Sequence, residues 1–193
     1  MTCEKFESVV GYHCSPVLMG LKPSNLVSFS KEKAPTIPTL AAIYTEKLKE
    51  EGIRMEIICG CRKHYLVLVY RPEMLEEYLS SKKARRILKK DGYPENGSLQ
   101  ELLQFMKQRF ETGSDFPHEI GLFLGYPLED VEGFQKNKGN GCKMCGYWKV
   151  YGDVESARRT FAQFDRCREF IHGQIKAGYT ISQVLGMKHL CAV

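Results

Sequence analysis

Apolar side chains at Leu40, Ile43, Tyr44 and Leu48 recur with helical spacing behind the proline-rich stretch 34–38 and stop at Gly52, which predicts an amphipathic helix. The pattern then changes period. Residues 53–59 and 65–70 are rich in β-branched and aromatic side chains, and Gly60-Cys61-Arg62-Lys63 separates them, so they predict a β-hairpin. Pro72 opens a helix carrying Leu75 and Leu79, followed by a basic helix to about Lys90 and a turn at Asp91-Gly92-Tyr93-Pro94. Ser98 and Glu101 form a capping-box pair ahead of Leu99, Leu102, Leu103, Met106 and Phe110, which predicts a helix from 98 to about 112.

The segment 116–127 reads as a short helix ending at a Gly125-Tyr126-Pro127 corner, with a second helix starting at Pro127 and turning Leu128, Val131 and Phe134 inward. A glycine-rich loop through Gly139 and Gly141 requires unusual backbone angles and leads into a short strand near 147–151. Asp153 caps a long helix with Val154, Ala157, Phe161, Phe164, Cys167, Ile171 and Ile175 on one face, and Thr180 with Gln183 caps a last short one. At the N-terminus the prolines at 16 and 23 suggest irregular chain. There one or two helical turns start at Pro16 with Ser15 as N-cap, and a short strand near 26–30 follows.

Helices outnumber strands and no βαβ alternation appears. The expected fold is α+β, with a small antiparallel or mixed sheet covered by helices and residues 1–193 forming a single domain. A chain of 193 residues is long enough to bury a core without staples. The charge of +5, from 28 basic and 23 acidic residues, is mild. The basic run 82–90 lacks interleaved aromatics, so it reads as a solvated helix face and disfavours nucleic acid, leaving a protein or a small molecule as partner. No run of 18 uncharged apolar residues and no secretory layout at the N-terminus is present, so the expected location is the cytoplasm, with no membrane partner.

Eight cysteines, at 3, 14, 59, 61, 142, 145, 167 and 191, stay reduced in such a compartment and are read as packing, metal ligands or reactive thiols. Cys142 and Cys145 have the spacing that lets two thiolates reach one tetrahedral ion, zinc or iron, with His13, Cys14, His118 and Glu119 as candidates for the remaining ligands. The same pair could instead exchange with disulfides, although no strand-to-helix junction surrounds it, or close a tight turn without function. Cys14, just ahead of the turns predicted at Pro16, gives a second reading. A thiolate favoured by the helix N-terminus acts as nucleophile of a hydrolase or transferase, with His118 as base and Glu119 as orienter. A third reading is a non-enzymatic binding or regulatory module using the 82–90 face. Cys59 and Cys61 at the hairpin end, and Cys167 on an apolar helix face, read as packing. Glu129 and Asp130 read as helix-start charges with no further role.

The stretches His13-Cys14-Ser15-Pro16-Val17-Leu18-Met19-Gly20-Leu21-Lys22-Pro23-Ser24-Asn25-Leu26 and 117–131, with Tyr70-Arg71-Pro72 and 139–151, resemble an uncharacterised domain-of-unknown-function family. Its members are small proteins of clostridia and related anaerobic Firmicutes. The resemblance covers nearly the whole chain and implies a bacterial, reducing cytoplasm. No activity or catalytic residue is assigned in that family, so none is carried over.

Overall fold

Phe6, Val10, Cys14 and Val17 recur at helical spacing and are all fully buried, which is what drives α1 (Cys3–Leu18). Thr2 caps it, its hydroxyl accepting from the Lys5 amide at 3.3 Å. This corrects the expectation of an irregular N-terminus. Pro16 falls in the last turn of α1 rather than opening a helix, and the burial of one continuous apolar face outweighs the one backbone hydrogen bond a proline forfeits. The computed structural model describes residues 1–60, 63–112 and 116–187, and these fall into two compact units.

The first unit comprises Met1–Pro72 and the described part of Phe164–Val193. Its sheet has the order β1 (Ser24–Ser30), β3 (His64–Tyr70), β2 (Arg54–Cys59), antiparallel throughout. The predicted hairpin is thus present, and β1 adds to its β3 edge, pairing Ser24 with Tyr70 and Ser30 with His64. Val67, Leu68 and Val69 are all inaccessible, as expected of a central strand covered on both faces. α2 (Ile37–Lys47) is tied to β2 through Thr45, whose hydroxyl donates to the Met55 carbonyl at 3.0 Å and accepts from the Met55 amide at 2.9 Å. Arg71 donates to the carbonyls of Val17 and Leu18 at the end of α1 and to that of Glu51 after α2. α9 (Ile181–Gly186) carries the predicted Thr180–Gln183 capping box. Cys59 is buried at the end of β2, whereas Cys61 and Cys191 lie outside the described residues.

The second unit, Glu73–Gln163, is mostly helical. It contains α3 (Pro72–Ser80, all but its first residue), α4 (Lys82–Lys90), α5 (Leu99–Thr112), α6 (Ile120–Phe123) and α7 (Leu128–Asn137). Ser98 and Glu101 exchange the expected reciprocal bonds, 3.3 and 2.8 Å, at the start of α5. The strand expected near 147–151 is reduced to β5 (Lys149–Val150), which pairs with β4 (Met144–Cys145) in a sheet separate from the first. α8 (Val154–Lys176) starts after Asp153, which accepts from the Ser156 amide at 3.0 Å, and divides between the two units at 163/164. Together these elements form an α+β fold with a small antiparallel sheet. Among the described residues no helix is long and apolar enough to cross a membrane.

Candidate functional site

α7 ends on Lys138 in the left-handed region, φ 49°, followed by Gly139 at φ 77° and Gly141 at φ 66°, so the glycine-rich loop does adopt the unusual angles its composition requires. The chain emerges at Cys142 and folds into a narrow hairpin. The Lys143 amide donates to the Val150 carbonyl at 2.8 Å, the Gly146 amide to the Trp148 carbonyl at 3.0 Å, and Cys145 stands opposite Lys149. Along its first arm the Cys142 and Cys145 sulfurs lie 3.2 Å apart, Cys142 half-buried and Cys145 exposed. The hydrogen bond with Cys142 is the main cause that holds the Cys145 thiol above its ordinary range. Desolvation and the Cys142 charge add to it, and Lys149 works against it.

The hairpin is held from below by a carboxylate that was expected to have no role. Asp130 on α7 is buried and accepts from the Trp148 indole at 2.6 Å, the Tyr151 amide at 2.7 Å and the Gly152 amide at 2.8 Å. Three donors from the residues flanking β5 on one carboxylate fix that strand relative to α7, and β4 follows through its pairing with β5. Phe161 of α8 packs against Gly146, where any Cβ would collide with the ring, and meets Trp148 edge-on at 4.5 Å. Tyr126 stacks on the same indole at 5.2 Å. The Tyr151 hydroxyl is shielded, has no hydrogen-bond partner among the described residues, and lies within electrostatic reach of both thiols.

Beside the hairpin a cavity of about 210 Å³ opens between Phe116, His118, Tyr126, Phe134, Trp148 and Lys149. His118 is exposed and packs edge-on against Phe134 at 5.3 Å. Its neighbour Glu119 does not orient it: the buried Glu119 carboxylate accepts from the Tyr93 hydroxyl at 3.1 Å and pairs with the Arg109 guanidinium. Burial and then the Glu119 charge hold the Tyr93 phenol above its ordinary range.

In the first unit, Cys14 stands in the last turn and a half of α1, where the peptide dipoles disfavour a thiolate, so the helix-start argument for its activation fails. Its side chain is inaccessible, and burial pushes the thiol up to about 12 against the pull of the Lys22 charge and an Asn25 hydrogen bond. Lys22 is itself buried and donates to Asn25 Oδ1 at 2.6 Å, while Asn25 Nδ2 donates to the His13 carbonyl at 2.5 Å. The His13 ring packs edge-on against Tyr12 at 5.1 Å, and burial, with Arg168, lowers its pKa.

Among the described residues no group of three or more His, Cys, Asp or Glu side chains is placed to hold a metal ion, so the pair at 142 and 145 has two of the four donors a closed site needs. The residues missed from sequence are Asp130, Lys149, Tyr151 and the ring lining. Their signal was the clustering of Phe116, Tyr126, Phe134, Tyr147 and the chain's single tryptophan around the Cys-x-x-Cys.

Fold and site together define an α+β protein that presents a close pair of thiols on a small, braced hairpin. The chain belongs to the family described as "Protein of unknown function (DUF3793)", whose model matches residues 10–185. No curated protein and no solved structure matches it.

Proposed function

We propose that Cys142 and Cys145 are a thiol–disulfide exchange pair, and that this is the chemistry of the second unit. The observation that carries the reading is the 3.2 Å between two solvent-reachable sulfurs on a hairpin fixed by Asp130. Two zinc–sulfur bonds of about 2.3 Å at a tetrahedral angle hold their sulfurs roughly 3.8 Å apart, so the observed spacing lies toward the disulfide side of that value. The two sulfurs share a hydrogen bond that holds the Cys145 thiol above its ordinary range, which favours Cys142 as the attacking sulfur and Cys145 as the resolving one.

The reaction balances without any further reagent than a disulfide. The Cys142 thiolate attacks one sulfur of the substrate disulfide, forming a mixed disulfide and releasing one thiolate. Cys145 then loses its proton to solvent and attacks the Cys142 sulfur, which closes the internal disulfide and releases the second thiolate. Two electrons pass from the protein to the substrate, and the reverse sequence oxidises a dithiol.

Cys145→Ser removes the resolving thiol, so with oxidised glutathione it is expected to accumulate a stable mixed disulfide at Cys142, visible by intact mass and peptide mapping. The unsubstituted protein passes on to the internal disulfide instead. Exposed Cys3 is the internal control for ordinary thiol reactivity. An adduct at Cys142 that forms no faster than the one at Cys3 would overturn the reading. So would stoichiometric zinc or iron in protein purified without oxygen, if Cys142→Ser with Cys145→Ser abolishes it.

A further inference from the structure

The cavity beside the hairpin is lined mostly by aromatic and aliphatic side chains, and of its two charged lining residues Asp130 is already engaged by three donors while Lys149 faces it as a cation. We infer that it binds one small aromatic acid: a single ring carrying a carboxylate. Size is the first argument. An apolar cavity of about 150 Å³ is known to hold benzene, and this one measures about 210 Å³, room for one six-membered ring with a small substituent. Shape is the second. The Trp148 wall is preformed, its indole N–H bonded to Asp130, Tyr126 stacked on it and Phe161 meeting it edge-on. Phe116 and Phe134 supply further ring surface, and aromatic pairs gain from offset and edge-on contacts beyond the area they bury.

Charge is the third argument, and it selects the acid. Lys149 lines the cavity and donates to the Gly139 carbonyl at 2.7 Å, with its ammonium 5.8 Å from the Phe134 ring centre. An ammonium has three donors, and among the described residues Lys149 forms no ion pair with a carboxylate. A ring seated against Trp148 would bring its carboxylate to the remaining donors, with His118 as a second polar group on the lining. Lys149 is also the cross-strand partner of Cys145, so the occupant would sit next to the thiols.

Trp148 is the only tryptophan, so emission excited selectively at tryptophan reports this cavity without the tyrosines. The experiment uses the full chain with Cys142→Ser and Cys145→Ser, which cannot exchange disulfides, so binding and thiol chemistry succeed or fail separately. Benzoate is expected to give a saturable change in Trp148 emission. Benzyl alcohol, which lacks the charge, and cyclohexanecarboxylate, which lacks the ring, should each bind at least about tenfold more weakly, a difference of roughly 1.4 kcal/mol. Lys149→Met should weaken benzoate about tenfold and leave benzyl alcohol unchanged. Equal affinity for benzoate and cyclohexanecarboxylate, or no saturable response to benzoate, overturns the inference without reference to any variant. Tighter binding of N-acetylphenylalanine than of benzoate would assign the cavity to a peptide terminus and overturn the free-acid assignment.

Discussion

Lys22 shows how one buried side chain makes stability depend on pH. Burial pulls its pKa from an ordinary 10.5 to about 8, with the nearby Cys14 sulfur opposing. In the range between these values the unfolded chain holds more protons than the folded one, so stability rises with pH from about 8 upward. Below that range both states carry the charge, and the full burial penalty, on the order of 3 kcal/mol, is present. Cys14 acts in the opposite sense. Its thiol is raised from 9.0 to about 12, so the folded chain holds the extra proton there and stability falls as pH climbs past 9. Urea unfolding should therefore show stability increasing between pH 8 and 9, levelling while the two effects offset each other up to 10.5, and falling above that. Lys22→Met should remove that rise and stabilise the protein at pH 7 by about 1–3 kcal/mol. An unchanged pH profile in the variant, or a loss of stability at pH 7, would contradict the assignment.

At the scale of elements, the hairpin that carries the thiols is a four-residue ladder, too short to stand alone, and Asp130 makes it a fixed object. Asp130→Ala leaves the Trp148 indole and the amides of Tyr151 and Gly152 without their acceptor. The expected cost is about 2–4 kcal/mol, with faster hydrogen exchange at the two amides. Exchange that stays as slow as in the unsubstituted protein would show that something else braces the hairpin. Such long-range dependence also separates what was legible in the sequence from what was not. Capping boxes at Ser98/Glu101 and Thr180/Gln183, and the Asp153 cap, are decided within four residues, and each was readable. The role of Asp130 rests on partners 18 to 22 positions away, so nothing next to it gave a signal beyond its helix-start position. α1 was hidden for a different reason: Pro16 suggested a helix start, whereas the 6-10-14-17 periodicity it interrupts was the stronger physical signal.

Over the whole molecule, the two compact units carry different chemistry. Met1–Pro72 with the described part of Phe164–Val193 holds the inaccessible Cys14 with Lys22 and Asn25, and Glu73–Gln163 holds the reachable dithiol and its aromatic cavity. The Cys-x-x-Cys pair was visible in the sequence because its spacing is local. The cavity was not, because its lining comes from the 116–126 segment, α7 and the hairpin, which only the fold brings together. The central claim is that the pair at 142 and 145 works as a two-electron couple. Its most direct test is an equilibrium titration of the full chain across reduced and oxidised dithiothreitol without oxygen, followed by alkylation and peptide mass mapping. The account predicts one transition with the slope of a two-electron exchange, confined to Cys142 and Cys145 and absent when either is serine. Protection of both sulfurs by a bound metal at every ratio, or disulfides forming at Cys3 before these two, would contradict it.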